Sequence, residues 1–221
     1  MPLLQQAVER YTQPLMDTFL KLNRQKLKPA FFRTSLVTSG LVLLIFLIAF
    51  LVAGNLPSGK LLLSILLFTG IGFPLFTMFL GYLTGLLNHK ARQNAFSKTP
   101  FDQISNIGFY KAYIGENSKW SFTDEIKEGK LNGFTLRMDM CKEKGRHFIE
   151  FEIPVEWKKL DKSEFNRLTE RFKQHNAEFR IGSIVKQYDT RQHTLQTVSD
   201  LKQDLELFTA LLHQEGFKAK S

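Results

Sequence analysis

Residues 36–53 and 61–87 contain no Asp, Glu, Lys or Arg. Helices of these lengths, at about 1.5 Å per residue, match a hydrocarbon layer about 30 Å thick. Only seven residues separate the two runs, Gly54 to Lys60, and they include Pro57 and Gly59. The pattern predicts a helical hairpin that crosses a bilayer, with spans at about 35–54 and 61–85. More than 30 mostly polar residues precede the first run, so it reads as a retained anchor and not as a cleaved leader.

The mean hydropathy of −0.15 resembles that of a soluble protein, because it averages two unlike parts. The net charge of +9 is equally uneven: eight of the nine charges lie in residues 1–100, most of them at the outer ends of the apolar runs. Basic flanks of this kind orient a hairpin with its flanks in the cytoplasm. Both termini are therefore expected to be cytoplasmic, with the loop at 54–60 outside. Lys21, Arg24, Lys26, Lys28 and Arg33 before the first span, and Lys90 and Arg92 after the second, are candidates for contact with anionic headgroups. Residues 101–221 carry 20 basic and 19 acidic side chains. That balance argues against a nucleic-acid partner. A single cysteine, Cys141, excludes an internal disulfide framework.

Two pairs of small residues mark faces where helices can approach closely: Ala49 with Ala53, and Gly81 with Gly85 in a GxxxG pattern. They suit either packing between the two spans or a dimer. Gly70, Gly72 and Pro74 predict a kink in the second span. Leu4, Val8, Tyr11, Leu15 and Phe19 form an amphipathic helical stripe in residues 2–26, with a kink or a break expected near Thr12–Gln13 because of Pro14.

The rest of the chain reads as α+β. The expected organisation is an amphipathic juxtamembrane helix over 1–33, a transmembrane hairpin over 34–87, a basic exit helix and linker over 88–118, and a cytosolic α+β domain over 119–221. Phe134, Leu136, Met138 and Met140 alternate with polar residues, as do His147, Ile149, Phe151 and Ile153. This predicts an antiparallel β-hairpin with a four-residue loop, Cys141 opposite Arg146 and Arg137 opposite Glu150. Glu150 and Glu152 then line the solvated outer face. Glu128-Gly129 and Asn132-Gly133 are turn signals. Asp161 with Glu164 begins a helix as a capping box. A strand is expected near 178–186, with Phe179, Ile181 and Val185 inward. A final helix from about 198 to 215 stops at Gly216, and Phe217 packs back on it.

Catalytic signatures are sparse. Cys141 and His147 invite a nucleophile–base reading, but the hairpin register sends them to opposite faces. The remaining histidines lack metal-ligand spacing, and no glycine-rich phosphate loop occurs. No cofactor or metal is expected. The composition favours a membrane-anchored interaction or regulatory domain without enzymatic activity, with the lipid bilayer and a protein partner or a second copy as its contacts. A small oligomeric transport or channel component is the alternative, and a membrane-bound enzyme whose site is invisible in sequence is a further one.

Overall fold

The structure is a computed structural model describing residues 15–54, 58–119, 121–143, 145–156, 159–191 and 195–220. The stripe over residues 4–11 and the break at Pro14 lie outside the described residues. The chain divides into two compact units. The first comprises residues 1–89 with 115–124, and the second residues 90–114 with 125–221.

In the first unit, helix α1 (Leu15–Ala53) runs unbroken through Pro29. Helix α2 (Gly59–Phe96) returns antiparallel to it, and its last seven residues belong to the second unit. Both helices are long and apolar enough to cross a membrane, and almost none of their apolar windows is buried: 0% for α1 and 6% for α2. Leu36 is 77% exposed and Val52 84%. A soluble protein would bury such side chains, because each contributes about 1.5–3 kcal/mol on leaving water.

The second unit holds a seven-stranded antiparallel sheet: β1 (Tyr110–Ile114), β2 (Asp124–Leu131), β3 (Phe134–Glu143), β4 (Arg146–Glu156), β5 (Ala177–Arg180), β6 (Ser183–Asp189) and β7 (Lys218–Ala219). The order is β1-β2-β3-β4-β6-β5, with β7 paired to β4. Helices α3 (Lys162–Lys173) and α4 (Val198–Gln214) complete it. The fold is thus α+β. Its core holds Phe134, Leu136, Met138, Ile149, Phe151 and Ile153 from β3 and β4, Leu168 and Phe172 from α3, and Leu201, Leu205, Phe208 and Leu212 from α4. The caps follow the sequence: the Asp161 carboxylate accepts from the Glu164 N–H at 2.8 Å. Gly216, at φ 76°, turns the chain after α4, so that the Phe217 N–H donates to Leu212 O at 3.0 Å and its ring is buried. Thr197 and Asp200 form a reciprocal capping box at the start of α4.

Three local expectations are corrected. The β3–β4 register is two residues tighter: Glu143 faces Arg146, Cys141 faces Phe148 and Asp139 faces Glu150. A shift of two preserves both faces, so the apolar alternation could not distinguish the two registers. The tighter turn is available because Gly145 takes φ 78°. Glu128-Gly129 is no turn but lies inside β2. Glycine is needed there because a Cβ would sit 2.7 Å from the ring of Phe109. The single strand near 178–186 is a hairpin, β5–β6, turning at Ile181-Gly182. Ile181 is fully exposed at that turn, and Ile184 takes the buried inward position. Asn132-Gly133 does turn, both residues having positive φ (47° and 80°).

Candidate functional site

The first unit is assembled from backbone groups that α-helical geometry leaves unpaired. Pro74 has no N–H to offer the carbonyl of Gly70 four residues earlier. Around that gap α2 widens into one π-helical turn, Phe68–Gly72. Hydroxyls from α1 serve the released carbonyls: Ser35 Oγ donates to Gly70 O at 2.5 Å and Thr38 Oγ1 to Thr69 O at 2.7 Å. Gly70 suits this approach, since a Cβ there would lie 3.1 Å from Ser39 Oγ, tighter than ordinary contact. Irregular backbone inside an apolar segment is tolerated when a neighbouring helix supplies such donors. Where a kink was expected, at Gly70–Pro74, the structure has this π-helical turn, and the two hydroxyl bonds tie α1 to α2 there.

Residues 115–119 and 121–124 form a strap along one stripe of α1. Asn23, fully buried, donates to Thr123 O at 3.0 Å and accepts from Thr123 N–H at 2.7 Å. The Lys26 ammonium donates to Gly115 O and to Ser121 O. Arg33 reaches Lys119 O at 3.1 Å. Above the strap, Phe19 packs against Tyr82, His89 and Phe122 with centroid separations of 5.4–5.5 Å. His89 Nδ1 lies 3.1 Å from an Asp124 oxygen. Gly85 makes room for this cluster, because a Cβ would come within 2.7 Å of Phe19 and 2.9 Å of Phe122.

The sequence-predicted residues thus fall into different roles. Gly85 faces Phe19 and Phe122, and Gly81 is exposed, its nearest such neighbour being Phe122 at 4.0 Å. Ala49 is exposed. Ala53 ends α1. Among the basic candidates, Lys26 and Arg33 are engaged by the strap. Arg92, in the second unit, is 8% exposed and pairs with Asp139 at 2.5 Å. Lys21, Arg24, Lys28 and Lys90 are exposed. Sequence alone could not sort these cations, because the strap comes from residues about 90 positions later.

Between α1 and α2 runs a groove of about 710 Å³, walled by Leu20, Leu27, Phe31, Leu75, Met78 and Phe79, with Lys28, Phe32 and Tyr82 completing it. Its surface is almost entirely carbon apart from Lys28.

In the second unit Glu150, Lys186 and Glu215 each sit in a hydrogen-bonded network. Glu150, expected on the solvated face, is 6% exposed. Both its oxygens accept from Arg180, at 2.6 and 2.8 Å, and Gln187 donates at 2.9 Å. Burial would raise its pKa, but hydrogen bonds from Arg180, Cys141 and Gln187 prevail and hold the carboxyl below its usual range. The same arrangement pushes the Cys141 thiol up to about 12, through burial first and Glu150 second. A thiol so disfavoured as thiolate is a poor nucleophile, and His147 stands opposite Lys142, not beside it.

Lys186 is 3% exposed on the core face. Its ammonium donates to His175 O at 2.9 Å and pairs with Asp204 at 3.2 Å. Burial lowers its pKa and raises that of Tyr188, whose hydroxyl donates to Asp204 at 2.6 Å. Nothing in the sequence pattern marked Lys186, since a lysine in a strand ordinarily faces water. Arg167 and Arg171 both bind the buried Glu215. Among the described residues, no three His, Cys, Asp or Glu side chains are grouped to hold a metal ion.

No family model, curated protein or solved structure matches this chain.

Proposed function

We propose that α1 and α2 anchor this chain in a membrane as a hairpin, and that the α+β unit serves at the cytoplasmic face as a binding or regulatory domain without turnover of its own. The observation that carries the reading is the apolar surface of the two helices, 0% and 6% of whose apolar windows is buried. Water is a poor solvent for that surface and hydrocarbon a good one. The basic flanks support a cytoplasmic position for both ends of the hairpin. The satisfied networks around Glu150 and Lys186 support a domain built for shape more than for catalysis, because their polar atoms already have partners within the fold.

Two measurements test it. Alkaline carbonate washing of membranes should leave the chain in the pellet, and its release would end the integral-membrane reading. In a Cys141→Ser background, Ser58→Cys should react with an impermeant maleimide from outside intact cells. Lys202→Cys should react only after permeabilisation, and the reverse pattern would invert the topology.

A further inference from the structure

The register of the helix pair leaves an offset that neither helix explains alone. Ser35 meets Gly70 and Thr38 meets Thr69. Antiparallel helices in this register set residues 75–87 of α2 beside residues 18–30 of α1. The α2 stretch has no charged side chain, whereas the α1 stretch holds Lys21, Arg24, Lys26 and Lys28. Apolar wall and cationic wall therefore occur at the same level, and the groove of about 710 Å³ lies there.

The cations of α1 divide between two faces. Asn23, Lys26 and Arg33 follow one stripe and bind the strap. Lys21, Arg24 and Lys28, spaced by three and four residues, follow another, and all three are exposed. Lys28 itself lines the groove, and no carboxylate does.

We propose that this groove binds one anionic glycerophospholipid. An acyl chain lies against Leu27, Phe31, Met78 and Phe79, and the phosphate meets Lys28, Arg24 and Lys21. The occupant is chosen by complementarity: a carbon-lined groove bordered by Lys28, with Lys21 and Arg24 exposed on the same stripe of α1, matches the junction of acyl chain and phosphate. A free phosphate or an acidic peptide would leave the apolar wall uncovered, and an uncharged lipid would leave the cations unused. The proposal rests on the membrane reading above.

The test is native mass spectrometry of the full chain released from nanodiscs of equimolar phosphatidylcholine and phosphatidylglycerol. The expected result is one retained phosphatidylglycerol per chain. Each cation removed should lower its preference about fivefold, on the scale of about 1 kcal/mol per basic residue near a charged surface. The triple variant Lys21→Gln/Arg24→Gln/Lys28→Gln should then retain the two lipids alike. Met78→Trp, which fills the groove, should lower retention of both lipids. Lys90→Gln, exposed but outside the groove, should leave the preference intact.

Equal retention of both lipids by the unaltered chain would overturn the proposal. So would an equal loss in Lys90→Gln, which would reduce the effect to bulk charge, or a second copy of the chain in place of the lipid. A chain that enters nanodiscs without preference loses only this proposal. One that fails to enter nanodiscs loses the membrane reading as well.

Discussion

The two compact units use the same apolar residues in opposite ways. In the sheet unit, Leu136, Ile149 and Phe151 are completely buried. In the helix pair, Leu44, Leu47 and Phe76 are 54–59% exposed. Polar groups invert in parallel. Hydroxyls of the helix pair serve the backbone carbonyls of a neighbouring helix, whereas carboxylates of the sheet unit close ion networks within the fold. One unit gathers its apolar side chains away from solvent, and the other presents them to it. On the membrane reading proposed above, the two units are made for different solvents.

The contrast breaks first in the cores. Phe172→Ala, in the packed centre of the second unit, is expected to cost about 3–5 kcal/mol. Leu47→Ala, on the exposed face of α1, should leave chemical denaturation of the sheet unit unchanged. Comparing their urea midpoints in mild detergent decides the matter, and equal losses would erase the distinction.

Removing one member of a polar network comes next. Glu150→Ala should cost about 1–3 kcal/mol, because Arg180 and Gln187 lose their acceptor. A pH titration gives the sign. Glu150 has a folded pKa below its unfolded value. Its contribution is therefore complete above about pH 4.3 and lost as pH falls through the folded value. Denaturation midpoints of the unaltered chain should fall across that acid range, and Glu150→Gln should flatten part of the fall. Lys186 runs the other way. Its folded pKa is lowered by burial, so its charged form opposes folding, and stability from this group rises as pH climbs through that lowered value. Lys186→Met removes the burial cost of the ammonium but leaves Asp204 without its partner. Because Asp204 is 36% exposed and stays open to water, the change is expected to be within about 1 kcal/mol at neutral pH, short of the loss that follows when the remaining charge is fully buried. A loss of several kcal/mol would show that the Asp204 and His175 contacts outweigh the cost of burial.

Crowding at Gly85 sharpens the comparison from the helix side. Gly85→Val must displace the rings of Phe19 and Phe122, a change expected to cost about 1–3 kcal/mol. Circular dichroism melting in detergent, with Gly81→Val as the milder companion, measures it.

The smallest effect concerns the π-helical turn. Ser35→Ala should cost about 0.6 kcal/mol, the scale of hydroxyl hydrogen bonds between apolar helices. Pro74→Ala restores a backbone donor toward Gly70, so in that background Ser35→Ala should cost less. A double-mutant cycle that shows no coupling would dissociate the hydroxyl from the proline gap.

Some of this architecture was legible because it is local. Charge-free runs of 18 and 27 residues specify two apolar helices whatever their neighbours do. Alternation along 134–140 and 147–153 specifies which side chains share a face of the β-hairpin. Asp161 and Gly216 mark helix ends through bonds that span only a few residues. Each rests on backbone geometry that repeats every 2 or 3.6 residues, which the residue order states directly.

What required the tertiary structure was the choice of partner. The apolar alternation of β3 and β4 permits registers two residues apart, and Gly145 with the β6 neighbours selects one. Glu150 looked solvated until Arg180, 30 positions later, closed over it. Gly85 suited either packing between the two spans or a dimer until Phe19 and Phe122 filled the space beside it. Lys26 and Arg33 looked equivalent to Lys21 and Lys28 until the strap from residues 115–119 and 121–124 engaged the first two. Long-range contacts depend on where distant segments arrive, and no periodicity in a single stretch of chain encodes that.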